Sequence, residues 1–186
     1  MTRGTQKRLD VARRVAARAI VGIVLGTASG LRAADALETF KFEGMAFATS
    51  LAEFQRRYPS AYPNRDHFDE KLGLKCYLVA NIKVCDGAMF MFFDDRLYGI
   101  QVLYDPPRVA KIGGIVEITR KLSEAFGPSD SYDAGTTEVS ISWIRPEVHR
   151  RANWTIHTDR ACLTVVDTLV DDTMKKRQAK HAELGF

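Results

Sequence analysis

Hydrophobic and polar positions alternate with changing period along this chain, and each change marks an element. Leu51, Phe54 and Tyr58 fall at i, i+3 and i+7, the spacing of one helical face. Ser50 and Glu53 form a capping box at the start of that helix, and Pro59 stops it. Ile115, Ile118, Leu122 and Phe126 predict a second helix, ended by Gly127 and Pro128 as a left-handed cap and a residue that cannot continue. Gly87–Phe93 and Arg96–Tyr104 are apolar segments around Asp94-Asp95 and read as a hairpin, closed by Pro106-Pro107. Further strands are expected at Glu138–Arg145, 152–158 and 162–170. Val139, Ile141 and Trp143 alternate with Ser140 and Ser142, so one side of that sheet is buried and the other wet.

The order helix, then three strands, occurs twice. It predicts an α+β domain: an antiparallel sheet of about six strands with two helices on one face, built from a duplicated unit. The domain is expected over 37–170, with halves at 37–107 and 108–170. Residues 171–186 read as a charged, helix-permissive tail that is solvated and frayed.

A length of 186 residues suits one domain with a single core. The hydrophobic fraction of 46% and charged fraction of 27% exclude disorder, collagen and coiled-coil arrays. The net charge of +4 would point to nucleic acid. However, residues 1–34 hold seven Lys/Arg against Asp10 alone, and the remainder is slightly acidic. The basicity belongs to the leader, so a nucleic-acid partner is not expected.

In that leader a basic stretch precedes Ala19-Ile20-Val21-Gly22-Ile23-Val24-Leu25 and then small residues, the layout of a secretory signal. The apolar run is too short to cross a bilayer. Cleavage fits Ala28-Ser29-Gly30 and Ala34-Asp35-Ala36, the second preferred, which makes 1–36 a signal peptide. Arg13-Arg14 is followed by Val15-Ala16-Ala17 where a twin-arginine signal needs a bulky apolar pair. Secretion is favoured over that signal, a transit peptide and an uncleaved anchor. A periplasmic or secreted chain with no transmembrane span after processing is expected.

Such a compartment permits disulfides. If Val79-Ala80-Asn81-Ile82 is a two-residue hairpin turn, Cys76 sits opposite Cys85, close enough to bridge. The alternative is buried reduced thiols acting as small hydrophobes, the reading preferred for Cys162. The spacing supports neither a redox motif nor zinc.

Three other groups carry candidate chemistry. If Pro146 pairs with Arg151, Trp143 faces Trp154, with Arg145, Arg150 and Arg151 crowding the same hairpin end. Exposed, this is an aromatic and cationic platform for a protein or a cell-envelope polymer. Buried, it is a core pair, favoured by the apolar phase of both indoles. His157 and Asp159 point the same way on a strand near Ser140 or Ser142, the outline of a hydrolase without a nucleophile elbow. Asp66-His67-Phe68-Asp69-Glu70 lacks calcium-loop spacing and reads as surface. No cofactor or metal is expected. Phe90, Phe92, Met89 and Met91 could instead feed a carrier pocket.

The phrase Gly44-Met45-Ala46-Phe47-Ala48-Thr49-Ser50-Leu51-Ala52-Glu53-Phe54, then Tyr58-Pro59 and the later Phe126-Gly127-Pro128, resembles secreted bacterial helix-plus-hairpin repeat domains. These are the β-lactamase-inhibitor-protein-like and small outer-membrane-assembly (SmpA/OmlA) modules, and the similarity spans most of residues 40–170. The resemblance implies a domain that binds proteins and performs no chemistry. This chain departs from the lipoprotein members by lacking a lipobox Cys. The expectation is an exported, non-enzymatic binding or envelope-associated module, with a hydrolase or a small-molecule carrier as alternatives.

Overall fold

The computed structural model describes residues 33–157 and 160–183. Helix α1 (Ala33–Glu38) is followed by the short pair β1 (Lys41–Phe42) and β2 (Met45–Ala46), then by α2 (Leu51–Arg57). Strands β3 (Tyr62–Pro63), β4 (Leu74–Ala80), β5 (Gly87–Phe93) and β6 (Arg96–Tyr104) come next, with a one-turn 3₁₀ helix, Arg65–His67, after β3. Helices α3 (Pro106–Ile112) and α4 (Gly114–Phe126) lead to β7 (Ser131–Ala134), β8 (Glu138–Arg145), β9 (Arg150–His157) and β10 (Ala161–Asp167). Helix α5 (Thr168–Glu183) closes the described chain.

The fold is α+β, with one large antiparallel sheet in the order β3-β4-β5-β6-β10-β9-β8-β7. That order reads outward identically from the central β6–β10 pair: each half is a helix followed by a four-strand meander. The sheet thus has eight strands rather than about six, and the described residues hold five helices rather than two. The two extra strands lie at the edges, where β3 is a Tyr-Pro dipeptide and β7 is wholly exposed. Neither presents the alternation that marks a half-buried strand.

Local chemistry explains the elements. The Ser50 hydroxyl accepts from the Glu53 N–H at 3.2 Å, capping α2. Asp94 and Asp95 adopt left-handed φ of 47° and 61°, and Phe93 pairs with Arg96 across them, the geometry of a type I′ hairpin turn. Pro106-Pro107 does more than close that hairpin: it opens α3, with Asp105 as N-cap accepting from the Arg108 N–H at 2.8 Å. Proline is tolerated in the first turn because those N–H groups lack helical partners anyway.

The core fills the sheet face beneath α1 to α4. Phe54 of α2 stacks on Phe90 and Phe92, with ring centroids 4.9 and 5.1 Å apart. In the second half Phe126 of α4 meets Trp143 edge-on at 5.8 Å, and Trp154 meets Tyr104 the same way. Full burial of each such ring contributes about 2–3 kcal/mol. Alternation sends Cys76, Met89 and Met91 to the opposite face, with α5. There Arg151 donates to Asp171 at 3.1 Å and Tyr98 to the Met174 sulfur at 3.3 Å. The C-terminal segment is therefore a docked helix over most of its length, not a frayed tail. Its Asp171 is buried, with Lys175 as a second partner.

Candidate functional site

The face of β6, β10, β9 and β8 turned away from the core carries partly exposed polar side chains beside Leu103 and the buried Cys162 and Val166. Register aligns Gln101, Thr164, Asn153 and Ser142 in one transverse row, because Thr164 lies opposite both Gln101 and Asn153, and Asn153 opposite Ser142. The next row holds Leu103, Cys162, Thr155 and Ser140. Gln101 donates to the Thr164 hydroxyl at 3.2 Å, which braces the first row. The side-chain amide oxygen of Asn153, Oδ1, has no hydrogen-bond partner among the described residues. Of these rows, Ser140, Ser142 and Cys162 were singled out from sequence, the cysteine only as a buried thiol. The rest follow from the same period-two phase once the strand order is known.

The five-residue aromatic and cationic cluster is divided by the sheet. Trp143 and Trp154 are both fully buried on the core face. They are not directly opposite: Trp143 pairs with Ala152, and Trp154 with Ile141. The reason is the connection, which encloses Pro146–His149, so that Arg145 pairs with Arg150. The Trp143 N–H donates to the Gly127 carbonyl at 2.9 Å, whereas the buried Trp154 N–H has no partner among the described residues.

The three arginines are engaged by internal acceptors. Arg145 reaches around the end of α4 to the carbonyls of Phe126 and Pro128 and to the Asp130 carboxylate. Arg150 pairs with Asp167 and lies 4.3 Å over the Phe47 ring. Arg151 points to the other face and joins Asp171. An exposed platform of indoles and guanidinium groups is therefore not what these side chains build.

Cys76 and Cys85 are not bridged, and with Cys162 they are free, buried thiols. The expected two-residue turn does not form. Ala80 pairs with Gly87, so residues 81–86 make a longer loop and Cys76 lies opposite Met91. That loop folds Ile82 and Cys85 into the core, while Cys76 occupies the opposite face. Burial pushes both thiols up to about 12.

His157 lies opposite Glu138, and its Nδ1 approaches that carboxylate at 3.4 Å rather than a serine. Asp159 lies outside the described residues. In the acidic segment, Asp69 spends Oδ1 on the N–H groups of Lys71 and Leu72, which shapes the turn before β4.

Two cavities stand out. One of about 270 Å³ lies between α3, the start of α4 and the β9–β10 end, lined by Val109, Ile115, Ile156 and His157. The larger, of about 420 Å³, lies between β4–β6, the 3₁₀ turn and α5. Phe90 and Phe92, expected with Met89 and Met91 in a pocket, belong to the core instead; only the two methionines reach this cavity. Tyr98, Met174 and His67 join them and were not foreseen, since they arrive from three separate elements. Burial raises the Tyr98 phenol to about 12. Compared with protein-family models, curated proteins and solved structures, the chain matches none.

Proposed function

We infer that this chain is an exported, non-enzymatic binding module that recognises a protein through the part of its outer sheet face that α5 leaves open. One observation carries the reading: the continuous polar row Gln101, Thr164, Asn153 and Ser142, half-exposed on four adjacent strands. Short hydroxyl and amide side chains offer both donors and acceptors. Held on a sheet, they need little further ordering to bind, which lowers the entropic cost of association. The row is uncharged, which suits backbone and polar groups of a folded protein better than an anionic polymer. Export is supported by the basic-then-apolar leader, and periplasmic or secreted placement follows from it.

A photo-crosslinking residue at position 142, with Glu124 on α4 as the control position, tests the reading in an envelope extract. A single protein captured from 142 but not from 124, and lost when Asn153→Arg and Thr155→Arg are added, supports it. Equal capture from both positions, or none, refutes it. The carrier alternative has one observation in its favour, the cavity of about 420 Å³ beside α5.

A further inference from the structure

Sulfur is scarce in this chain and unevenly placed. It has five Met and three Cys. Met89, Met91, Met174 and Cys76 all line the cavity of about 420 Å³, with His67 at the same wall. Met45, by contrast, lies in the main core.

The backbone brings these sulfurs together. Cys76 lies opposite Met91 on paired strands, and Leu78 opposite Met89. Met89 is thus the diagonal neighbour of Cys76 on one face, within reach of a long side chain. A bulge in β6 sets Gly99 opposite Met91 and makes Tyr98 the additional residue. A Cβ at Gly99 would fall 2.6 Å from the Met91 methyl. The missing side chain is what lets Met91 lie there.

The thioethers are also turned toward polar groups. Tyr98 donates to the Met174 sulfur at 3.3 Å, and the Asn64 amide to the Met89 sulfur at 3.5 Å. Two of the three sulfurs therefore direct lone pairs at donors rather than being enclosed by methyl groups. Methionine used only as core filler needs no such partners.

The ligand follows from donor chemistry. Hard divalent cations need several oxygens; of the two carboxylates that line the cavity, Asp66 and Asp69, the second has one oxygen committed to backbone N–H groups. Structural zinc favours several thiolates and imidazoles, and this cavity offers one of each. Thioethers are soft, neutral and polarisable, and with a thiolate they select monovalent copper. One thiolate with one monovalent cation leaves the metal and its sulfur ligands without net charge, which removes much of the cost of burying a charge.

We propose that Cys76, Met89, Met91 and Met174 form a binding site for a soft monovalent cation, Cu(I) or its analogue Ag(I). His67 stands at its wall as a supplementary ligand. Binding exchanges the Cys76 S–H proton for the metal and releases one proton to solvent, with no change in oxidation state. The site adjoins the first polar row, because Met89 lies opposite Gln101, but it does not rest on that row's role in protein recognition.

The test is an anaerobic titration of the purified full chain with Cu(I) supplied as its bicinchoninate complex, with stoichiometry read by native mass spectrometry. One equivalent should be withdrawn from the chelator, and affinity should rise with pH. Met91→Leu with Met174→Leu conserves core volume and should weaken binding at least about tenfold, since even outer-shell changes at metal sites cost 10–100-fold. Cys162→Ser should leave affinity unchanged. Ag(I) should raise the melting temperature of the unmodified chain and raise that of the double variant less. Failure to compete with the chelator would overturn the proposal. So would full affinity in the double variant, or a loss that tracks Cys162→Ser instead.

Discussion

Arg177 on α5 holds Asp94 of the β5–β6 turn in a two-pronged ion pair, with Nη1 2.8 Å from Oδ1 and Nη2 2.8 Å from Oδ2. The same guanidinium donates to the Leu72 carbonyl and lies 4.3 Å over the Phe93 ring. The helix is charged around most of its circumference, so this latch does what an apolar stripe does for α4.

Arg177→Ala is expected to leave the global unfolding midpoint nearly unchanged, because exposed ion pairs contribute little. Amide exchange over residues 168–183 should accelerate several-fold. The hydrogen bond from Arg177 holds the Asp94 carboxyl below its ordinary value. Docking is therefore complete above the ordinary carboxylate range and weakens as pH falls through the lowered value. Gly73→Ala should release the helix too: its φ is +75°, and a Cβ there would fall 2.2 Å from Asp94 Oδ1. Strain at that φ should add about 1 kcal/mol or more of destabilisation. Exchange rates in 168–183 that match the unmodified chain in both variants would refute the latch.

The two buried indoles should respond differently to the same substitution. Trp143→Phe removes a donor and leaves the Gly127 carbonyl unpaired, a cost of about 1–3 kcal/mol beyond the lost volume. Trp154→Phe removes an N–H that has no partner among the described residues, so only the volume loss remains. Urea unfolding should place Trp143→Phe about 1 kcal/mol or more below Trp154→Phe. Equal midpoints would show that the Gly127 bond contributes nothing.

Strand β8 was legible from sequence at its full length, because Val139, Ile141 and Trp143 alternate with polar neighbours and the phase states which side is buried. Helix α4 was legible for the same reason at period 3.6, although Ile115, grouped with its buried face, is 42% exposed. Strand β3 was not, because a Tyr-Pro pair becomes a strand only through its register with Leu78 and Tyr77. Hairpin registers were the other loss. Loop 81–86 is long because Ile82 and Cys85 are drawn into the core, a tertiary effect that no local turn signal reports. The polar rows and the sulfur cluster are half-legible: strand phase gives the members on each strand, but only the order β6-β10-β9-β8 aligns them. Met174 joins from a helix whose docking rests on ion pairs.

The free thiols make a direct measurement. With Cys76 and Cys85 raised to about 12 by burial, neither carries appreciable thiolate below pH 10. Alkylation of the native chain at pH 8 should be slow for these cysteines and for Cys162, whose thiol burial also raises. Without any reductant, all three should react promptly once the chain is unfolded. Uptake of only one label under those conditions would restore the Cys76–Cys85 bridge and refute the β4–β5 register.

Helix α1 bears on where a signal peptide can be removed. It spans Ala33–Glu38, and Ala36 and Leu37 are buried in the core, where the helix packs on α4 and β9. The preferred cleavage after Ala36 would remove four of its six residues and place a charged amino terminus on the buried Leu37, a costly arrangement. Cleavage after Gly30 leaves the helix whole. A chain beginning at Leu31 should therefore melt at a higher temperature than one beginning at Leu37, and if the chain is exported as proposed, the protein recovered from its host should have the mass of residues 31–186. A mature mass beginning at Leu37, with undiminished stability, would mean that α1 contributes nothing to the folded domain.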